Sequence, residues 1–460
     1  MKKLLVLISV ILALMCTYCA DRQDNEEKPP NFVIMFADDL GYGDLACYGN
    51  DVIRTPNLDK MAESGIRFSE FYSANPICSP SRAALLTGRY PVRMGINQVF
   101  FPESWTGMSP DEITLAEALK PLGYKSGVFG KWHLGHHRQF LPLQQGFDAY
   151  FGIPYSNDMA GVVYLEDNNV VDENVDQRLT TKIYTEKAIR FIEENKDQPF
   201  FVYIPYSMPH VPIYASGNFE GKSERGLYGD VIEEIDWSVG QVLTRLGELG
   251  LEENTVVFFS SDNGPWLVFG PEGGTAGPLR EGKQYTFEGG MRVPGIIQWK
   301  GKIPGGKEYS ELVTTMDIFP TFLSLAGGII PQDREIDGSD ISSILLENKT
   351  LRDRELAFYM FGEFRAFRKG DWKIKMPYVG HTGSRGRKAV AAHDTLLFNL
   401  KEDIGELNNQ IESEPLKKME LLEAMETFRS SMGELPPELI VRKPSDKSHY
   451  TKQAEWLKNK

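Results

Sequence analysis

Four short apolar runs decide what this 460-residue chain can fold into. They are Asn31-Phe-Val-Ile-Met-Phe-Ala37, Lys125-Ser-Gly-Val-Phe-Gly130, Gln198-Pro-Phe-Phe-Val-Tyr-Ile204 and Thr255-Val-Val-Phe-Phe-Ser260. They lack the polar alternation of a half-exposed strand and read as strands buried in a sheet. Segments with helical spacing lie between them: residues 55–65, entered through Thr55-Pro56 and ended by Gly65, then 113–120, 180–195 and 228–250. Strands alternating with amphipathic helices predict parallel βαβ units and an α/β domain. In such a sheet, ligands gather beyond the carboxyl ends of the strands. The residues just past each run therefore carry the chemistry: Asp38-Asp39, then Lys131 and His133, then His210, then Asp262-Asn263. Residues more than two hundred positions apart converge on one edge in this reading.

Each group also has an ordinary meaning. Asp-Asp-x-Gly and Asp-Asn-Gly are common turn chemistry. Two adjacent carboxylates at the mouth of a buried strand nevertheless repel unless a cation lies between them, and hard cations need clustered oxygens. Asp262-Asn263 offers a second pair of such oxygens. Lys131 and His133, two apart on one strand, are expected to face the same pocket. Prolines 209 and 212 stiffen the backbone around His210. Cys78 comes after a turn at Asn75-Pro76, and the run from Ser81 suits a helix ending near Gly88. The thiol then lies by a helix N-terminus, where negative charge is favoured, and Arg82 adds a fixed positive charge. A Cys47–Cys78 disulfide is the plain structural alternative in an oxidising compartment.

The net charge of -14 argues against broad nucleic-acid binding, so no nucleic-acid partner is expected. An anionic substrate would need a local positive pocket. Residues 1–20, with Lys2 and Lys3 before an apolar core, read as a secretory leader too short to span a membrane. Cys16 and Cys19 invite lipidation, although Met15 and Tyr18 before them are bulky. Residues 21–30 read as a polar tether, 31–350 as the main domain and 351–460 as a smaller subdomain. In the latter a hairpin turns at Lys369-Gly370-Asp371, and residues 395–400 and 416–432 read as a strand and a helix. The expected location is outside the cytoplasm of a bacterium, periplasmic or on the cell surface, with membrane contact only through a lipid anchor.

Cys78-x-Pro80-Ser81-Arg82-x4-Thr87-Gly88 reproduces the signature of the type I sulfatases. Asp38-Asp39 with its flanks, Gly130-Lys-Trp-His-Leu-Gly135, and Lys283 with Glu288-Gly-Gly after it resemble further motifs of that family. So do Asp317 and Pro320. The resemblance covers about residues 31–410 and is closest to the branch with arylsulfatase A and N-acetylgalactosamine-6-sulfatase. It implies an alkaline-phosphatase-like mixed sheet flanked by helices, with a smaller C-terminal α+β subdomain. It further implies that Cys78 is converted to Cα-formylglycine by a formylglycine-generating or anaerobic sulfatase-maturating enzyme. One Ca²⁺ would be held by Asp38, Asp39, Asp262 and Asn263 beside Cys78. Arg82, Lys131 and Lys283 would clamp the sulfate, His133 would take the nucleophile's proton and His210 would protonate the leaving oxygen. The two histidine roles are interchangeable at this level. The implied substrate is a sulfated saccharide, with galactose or N-acetylgalactosamine sulfates indicated by the branch. Trp266 is a candidate to stack on a sugar, and Arg385 or Arg387 to meet a second anionic group. Gln284 stands where the family usually has Gly. The alternatives are a phosphatase or phosphodiesterase on the same fold, for which 7 His are few to build a two-zinc site, and a non-catalytic glycan-binding protein.

Overall fold

The alternating side chains of the first strand explain its unbroken apolarity. Phe32, Ile34 and Phe36 enter one hydrophobic core, while Val33, Met35 and Ala37 enter another on the opposite face. These packings come from a computed structural model that describes residues 28–439 except 160, 352 and 382–388. The leader, most of the tether, Arg385 and Arg387 lie outside the described residues.

Up to residue 314 the strands are β1 (Asn31–Ala37), β2 (Ile66–Phe68), β3 (Phe71–Tyr72), β4 (Lys125–Phe129), β5 (Ala149–Gly152) and β6 (Tyr164–Glu166). They continue as β7 (Asn169–Asp172), β8 (Phe200–Pro205), β9 (Thr255–Ser261), β10 (Gly295–Gln298), β11 (Lys307–Tyr309) and β12 (Val313–Thr314). β3 and β12 pair with each other, and the rest form one sheet in the order β11-β2-β10-β9-β1-β8-β4-β5-β6-β7. The central five, β9-β1-β8-β4-β5, are all parallel. β10 on one flank and β6 on the other run antiparallel to their neighbours, so the sheet is mixed.

Helices Thr180–Asn195 and Leu227–Glu248 pack through Tyr184, Ala188, Val231 and Ile235 on the Val33 face. Cys78–Thr87 and Ile318–Leu325 cover the Phe32 face through Leu85, Leu86, Phe319 and Phe322. Each such large apolar side chain contributes about 1.5–3 kcal/mol when fully buried. The long helix gives way before Gly250, whose φ of 67° is left-handed. Residues 157–177, a long polar segment rich in Asp and Asn, contain the β6–β7 hairpin. Glu166 pairs with Asn169 around Asp167-Asn168, so the Asp and Asn content marks a tight turn in an edge hairpin.

The C-terminal part is an antiparallel sheet of β13 (Glu355–Met360), β14 (Glu363–Lys369), β15 (Trp372–Lys375) and β16 (Leu396–Asn399), in that order. Leu421 and Met425 of the Pro415–Ser431 helix pack on it against Phe367 and Ile374. The turn at residues 369–371 is present. A second turn, at Phe361-Gly362, escapes the sequence pattern because Phe is a poor occupant of the left-handed region it adopts, φ 51°.

This sheet is tied to the main domain by buried charge. Lys373 reaches Glu288 at 2.8 Å and Glu406 at 3.0 Å, and all three side chains are fully buried. Burial alone would raise the Glu288 carboxyl, but Lys373, Arg292 and Arg368 hold it at about 2. Replacing Lys373 with Met strands two buried carboxylates and should cost about 3–5 kcal/mol in denaturant unfolding. Wild-type stability in that variant would show that the contact carries no such weight.

Candidate functional site

Five neighbouring parallel strands end on one edge, and each delivers polar residues there. β9 leads into Asp262 and Asn263, β1 into Asp38 and Asp39, β8 into the loop with His210, β4 into Lys131 and His133, and β5 into Ser156. The Cys78–Thr87 helix lies over them, with all ten residues buried. It begins three residues earlier than expected, because Ile77 is extended and Pro80 falls in the first turn, where an N–H has no helical acceptor. Gly88, φ 71°, ends it.

Three buried carboxylates face three buried cations. Asp38 accepts from Lys131 Nζ at 2.6 Å, and Arg82 approaches its other oxygen at 3.3 Å. Asp262 Oδ2 accepts from Arg82 Nε at 3.0 Å and from its terminal nitrogen at 2.8 Å. Asp39 accepts from Lys283 Nζ at 2.9 Å and from Asn263 Nδ2 at 2.7 Å. Its backbone N–H donates to Asp262 Oδ1 at 3.1 Å. Cys78 Sγ lies 3.6 Å from Asp38 Oδ1. His210 Nε2 lies 3.6 Å from Asp39 Oδ2. The ligand atoms of Asp38, Asp39, Cys78 and His210 fall within 4.8 Å of one another.

The environment sets the charges. Burial would raise the Asp38 carboxyl, but Lys131, His210, Arg82 and Lys283 hold it well below the ordinary value. Burial, against the pull of Arg82 and aided by the charges of Asp38 and Asp39, pushes Asp262 up to about 7. Burial also raises the Cys78 thiol well above its usual value. Burial, Lys131 and Arg82 depress His133, while burial and Lys283 depress His210, so both rings favour the neutral form. His133 Nε2 meets Phe100 O at 2.9 Å and must carry the proton, because a carbonyl only accepts. His133 Nδ1 is then a buried lone pair without a hydrogen-bond partner. The Phe100 N–H donates to Ser79 Oγ at 3.1 Å, linking this histidine to the neighbour of Cys78. By the same logic His210 Nδ1, 2.6 Å from Val211 O, holds its proton and leaves Nε2 facing the carboxylates.

The donor set suits a hard cation. Asn263 Oδ1 is buried with no hydrogen-bond partner, while its Nδ2 is fully used by Asp39 and Gly264 O. An amide oxygen among carboxylates is the ligand chemistry of Ca²⁺ or Mg²⁺. Cys47 and Cys78 are both free, so the disulfide alternative does not hold.

One expectation needs correction. Lys131 and His133 lie beyond the end of β4, and His133 has a left-handed φ of 58°, so strand alternation does not orient them. They converge because the chain turns at Gly130, where a Cβ would sit 2.0 Å from Pro205 O. Sequence reading also missed Ser156, buried and accepting from Lys131 Nζ at 3.1 Å. It missed Asp158, an exposed residue hydrogen-bonded to Ser156. Local desolvation would raise the Asp158 carboxyl, and His210, Lys131 and Lys283 outweigh it and hold it low. A lone Ser and Asp in a polar stretch carry no local signal; only their place after β5 does. Trp266 packs on His210, ring centroids 5.2 Å apart, with Lys283 Nζ 4.0 Å from its own centroid.

Residues 30–329 match the family model for sulfatases, and residues 281–430 match the C-terminal model of N-sulphoglucosamine sulphohydrolase. N-acetylgalactosamine-6-sulfatase of Canis lupus familiaris is 44% identical over 375 residues, 75% of this chain and 71% of the relative. Arylsulfatase A of Homo sapiens is 37% identical over 451 residues, 89% and 88% respectively. The crystal structure of PsFucS1 sulfatase from Pseudoalteromonas sp. superposes with a TM-score of 0.83 at 28% identity, covering 91% of this chain and 93% of that one.

Gln284 has a φ of 73°, which explains why its position suits glycine. Gln284→Val should therefore lower stability by about 1–2 kcal/mol while Gln284→Gly does not. Equal losses in denaturant melts of the two variants would contradict a left-handed residue here.

Proposed function

We propose how this site works from one premise: the chain belongs to the sulfatase family and is a sulfuric ester hydrolase. Its substrate is a sulfated saccharide carrying a sulfate on galactose or N-acetylgalactosamine, the second of which is the sugar named in its N-acetylgalactosamine-6-sulfatase relatives. The observation that carries this reading is the cluster of three buried carboxylates and three buried cations around Cys78. That cluster is nearly charge-balanced by itself. A divalent cation on Asp38, Asp39, Asp262 and Asn263 makes it positive, which suits an anionic sulfate ester. When bound, Ca²⁺ supplies Lewis-acid polarisation of the sulfate and a lowered pKa for the nucleophile.

Cys78 is the nucleophile position. Its buried thiol stays protonated, and conversion to Cα-formylglycine by a formylglycine-generating or anaerobic sulfatase-maturating enzyme supplies a hydrated aldehyde hydroxyl instead. Arg82, Lys131 and Lys283 place positive charge where the sulfate oxygens gain negative charge. Ser156 and Asp38 hold the Lys131 ammonium in position. His133 accepts the nucleophile's proton at its unpartnered Nδ1, and His210, after taking up a second proton at Nε2, gives that proton to the leaving oxygen. Trp266, beside His210 and Lys283, stacks on the sugar, and Arg385 or Arg387 meets a second anionic group. The chain acts after export, in the periplasm or as a cell-surface lipoprotein, through the leader at 1–20 and the tether at 21–30. Its catalytic domain spans 31–350 and its C-terminal subdomain 351–460.

Sulfate release from 6-sulfated N-acetylgalactosamine or galactose, with a phosphate ester as control, tests the substrate class. Turnover of the phosphate ester alone would sink it. In a host able to mature sulfatases, the peptide holding Cys78 should lose about 18 Da, regained on hydration; unmodified cysteine in a fully active enzyme would exclude the proposed nucleophile. Lys283→Ala should lower kcat by about 10²–10³-fold with the fold intact by circular dichroism. Ca²⁺ at a hundredfold excess over its Kd should add about 2.7 kcal/mol of stability, reversed by a chelator and diminished in Asn263→Leu. A melting temperature indifferent to Ca²⁺ and chelator would remove the ion from this site.

A further inference from the structure

Two buried serines take no part in the chemistry above, yet both hold the one carbonyl that faces the base. Phe100 O meets His133 Nε2 at 2.9 Å. The Phe100 N–H donates to Ser79 Oγ at 3.1 Å, and the Phe101 N–H donates to Ser104 Oγ at 2.8 Å. Ser79, Ser104, Phe100 and His133 are each no more than 1% exposed, so no bulk water stands in for these partners. A peptide unit is planar. Phe100 O therefore shares a plane with the Phe101 N–H that Ser104 holds. Ser79 holds the preceding plane, which meets the first at the Phe100 Cα. Together the two hydroxyls fix both torsions of residue 100, and with them the direction of its carbonyl.

That direction matters because a neutral imidazole carries one ring proton, and only its other nitrogen accepts a second. With the proton on Nε2, Nδ1 is the acceptor. With the proton on Nδ1, the same nitrogen is a donor and cannot serve a hydroxyl. The His133 backbone is fixed separately, by its N–H on Pro154 O at 3.2 Å, which says nothing about the tautomer. The choice falls to Phe100 O. Removing either serine hydroxyl leaves a backbone N–H without its acceptor in a dry space, at a cost of about 1–3 kcal/mol. The plane then turns toward another acceptor and the carbonyl turns with it. Ser79 also directly follows Cys78, so the helix that carries the nucleophile is the one that orients the base.

We propose that Ser79 and Ser104 are positioning residues of the sulfatase reaction: their hydroxyls aim the Phe100 carbonyl at His133 Nε2, which keeps Nδ1 open for the nucleophile's proton. That proton leaves the nucleophile's hydroxyl, whose oxygen keeps the electron pair, and the ring then holds one proton on each nitrogen. The proposal rests on the reading of His133 as the base. Ser79→Ala and Ser104→Ala are made in a host able to mature sulfatases, and kcat is divided by the fraction of residue 78 converted to aldehyde. Each should lose about 10- to 100-fold in kcat with KM unchanged, part of the 10²–10⁴ that a general base supplies. Ser79→Thr and Ser104→Thr, which keep the acceptor, should restore most of it. Nitrogen-15 spectra of histidine-labelled enzyme read the tautomer directly, and His133→Gln identifies its signal among the 7 histidines. Wild type should show His133 protonated at Nε2 alone, and the two Ala variants a mixture. An unchanged spectrum in both Ala variants overturns the proposal, even where kcat falls, because the serines are then merely structural. A change confined to one variant keeps that serine and removes the other. If His133→Gln keeps full activity, the base reading itself fails. The spectra then decide the remainder: a mixture in the Ala variants sustains the serines' hold on the tautomer, and an unchanged signal overturns it.

Discussion

Six opposite charges locked in a dry space at the strand ends govern the rest of this molecule. Removing an ion from water costs several kcal/mol even after the protein relaxes, so Asp38, Asp39 and Asp262 tolerate burial only with Arg82, Lys131 and Lys283 in contact. Those contacts fix parts of the chain that are far apart in sequence. Arg82 pins the helix that begins at Cys78 onto β1 and β9, and Lys283 pins a later loop onto Asp39. The same contacts that hold the fold therefore place Cys78 and His210 beside these carboxylates.

A second buried charge cluster extends that constraint into the C-terminal sheet. Glu288 ends the segment that begins at Lys283, and it is held by Lys373 of β15 together with Glu406. Tyr72 and Arg292 also contact Glu288, so β3 and the end of this loop share the anchor. One stretch, residues 283–288, thus supplies a cation to the buried charge cluster, lines a cavity at the seam with the C-terminal sheet and carries the anchor to that sheet. Movement of that sheet would be felt at Lys283 through a few covalent bonds.

The histidines show how tertiary contacts refine chemistry. Neither tautomer is written in the residue; Phe100 O and Val211 O choose them by accepting one proton each. This leaves His133 Nδ1 and His210 Nε2 as the ring nitrogens without that proton, a division that spacing could not supply. Ser156 and Asp158 enter the same neighbourhood only because β5 is parallel to β4 and ends on the same edge.

The sequence alone determined the parallel core and the edge where the chemistry sits. Unbroken apolar runs have no exposed face to offer, and strands separated by helices must run parallel, so Asp38, His210 and Asp262 had to meet. It also determined the family, through the spacing from Cys78 to Gly88. Tertiary structure decided what depends on contacts between distant segments: the pairing of each buried carboxylate with its cation, the tautomers, Ser156, and the seam cavity around Gln284. It also decided the β6–β7 hairpin and the Phe361-Gly362 turn, whose local composition resembles loop. The physical reason is common to all of these. Period and propensity are local properties of a chain, whereas desolvation and hydrogen-bond satisfaction are settled only when remote segments close on the same space.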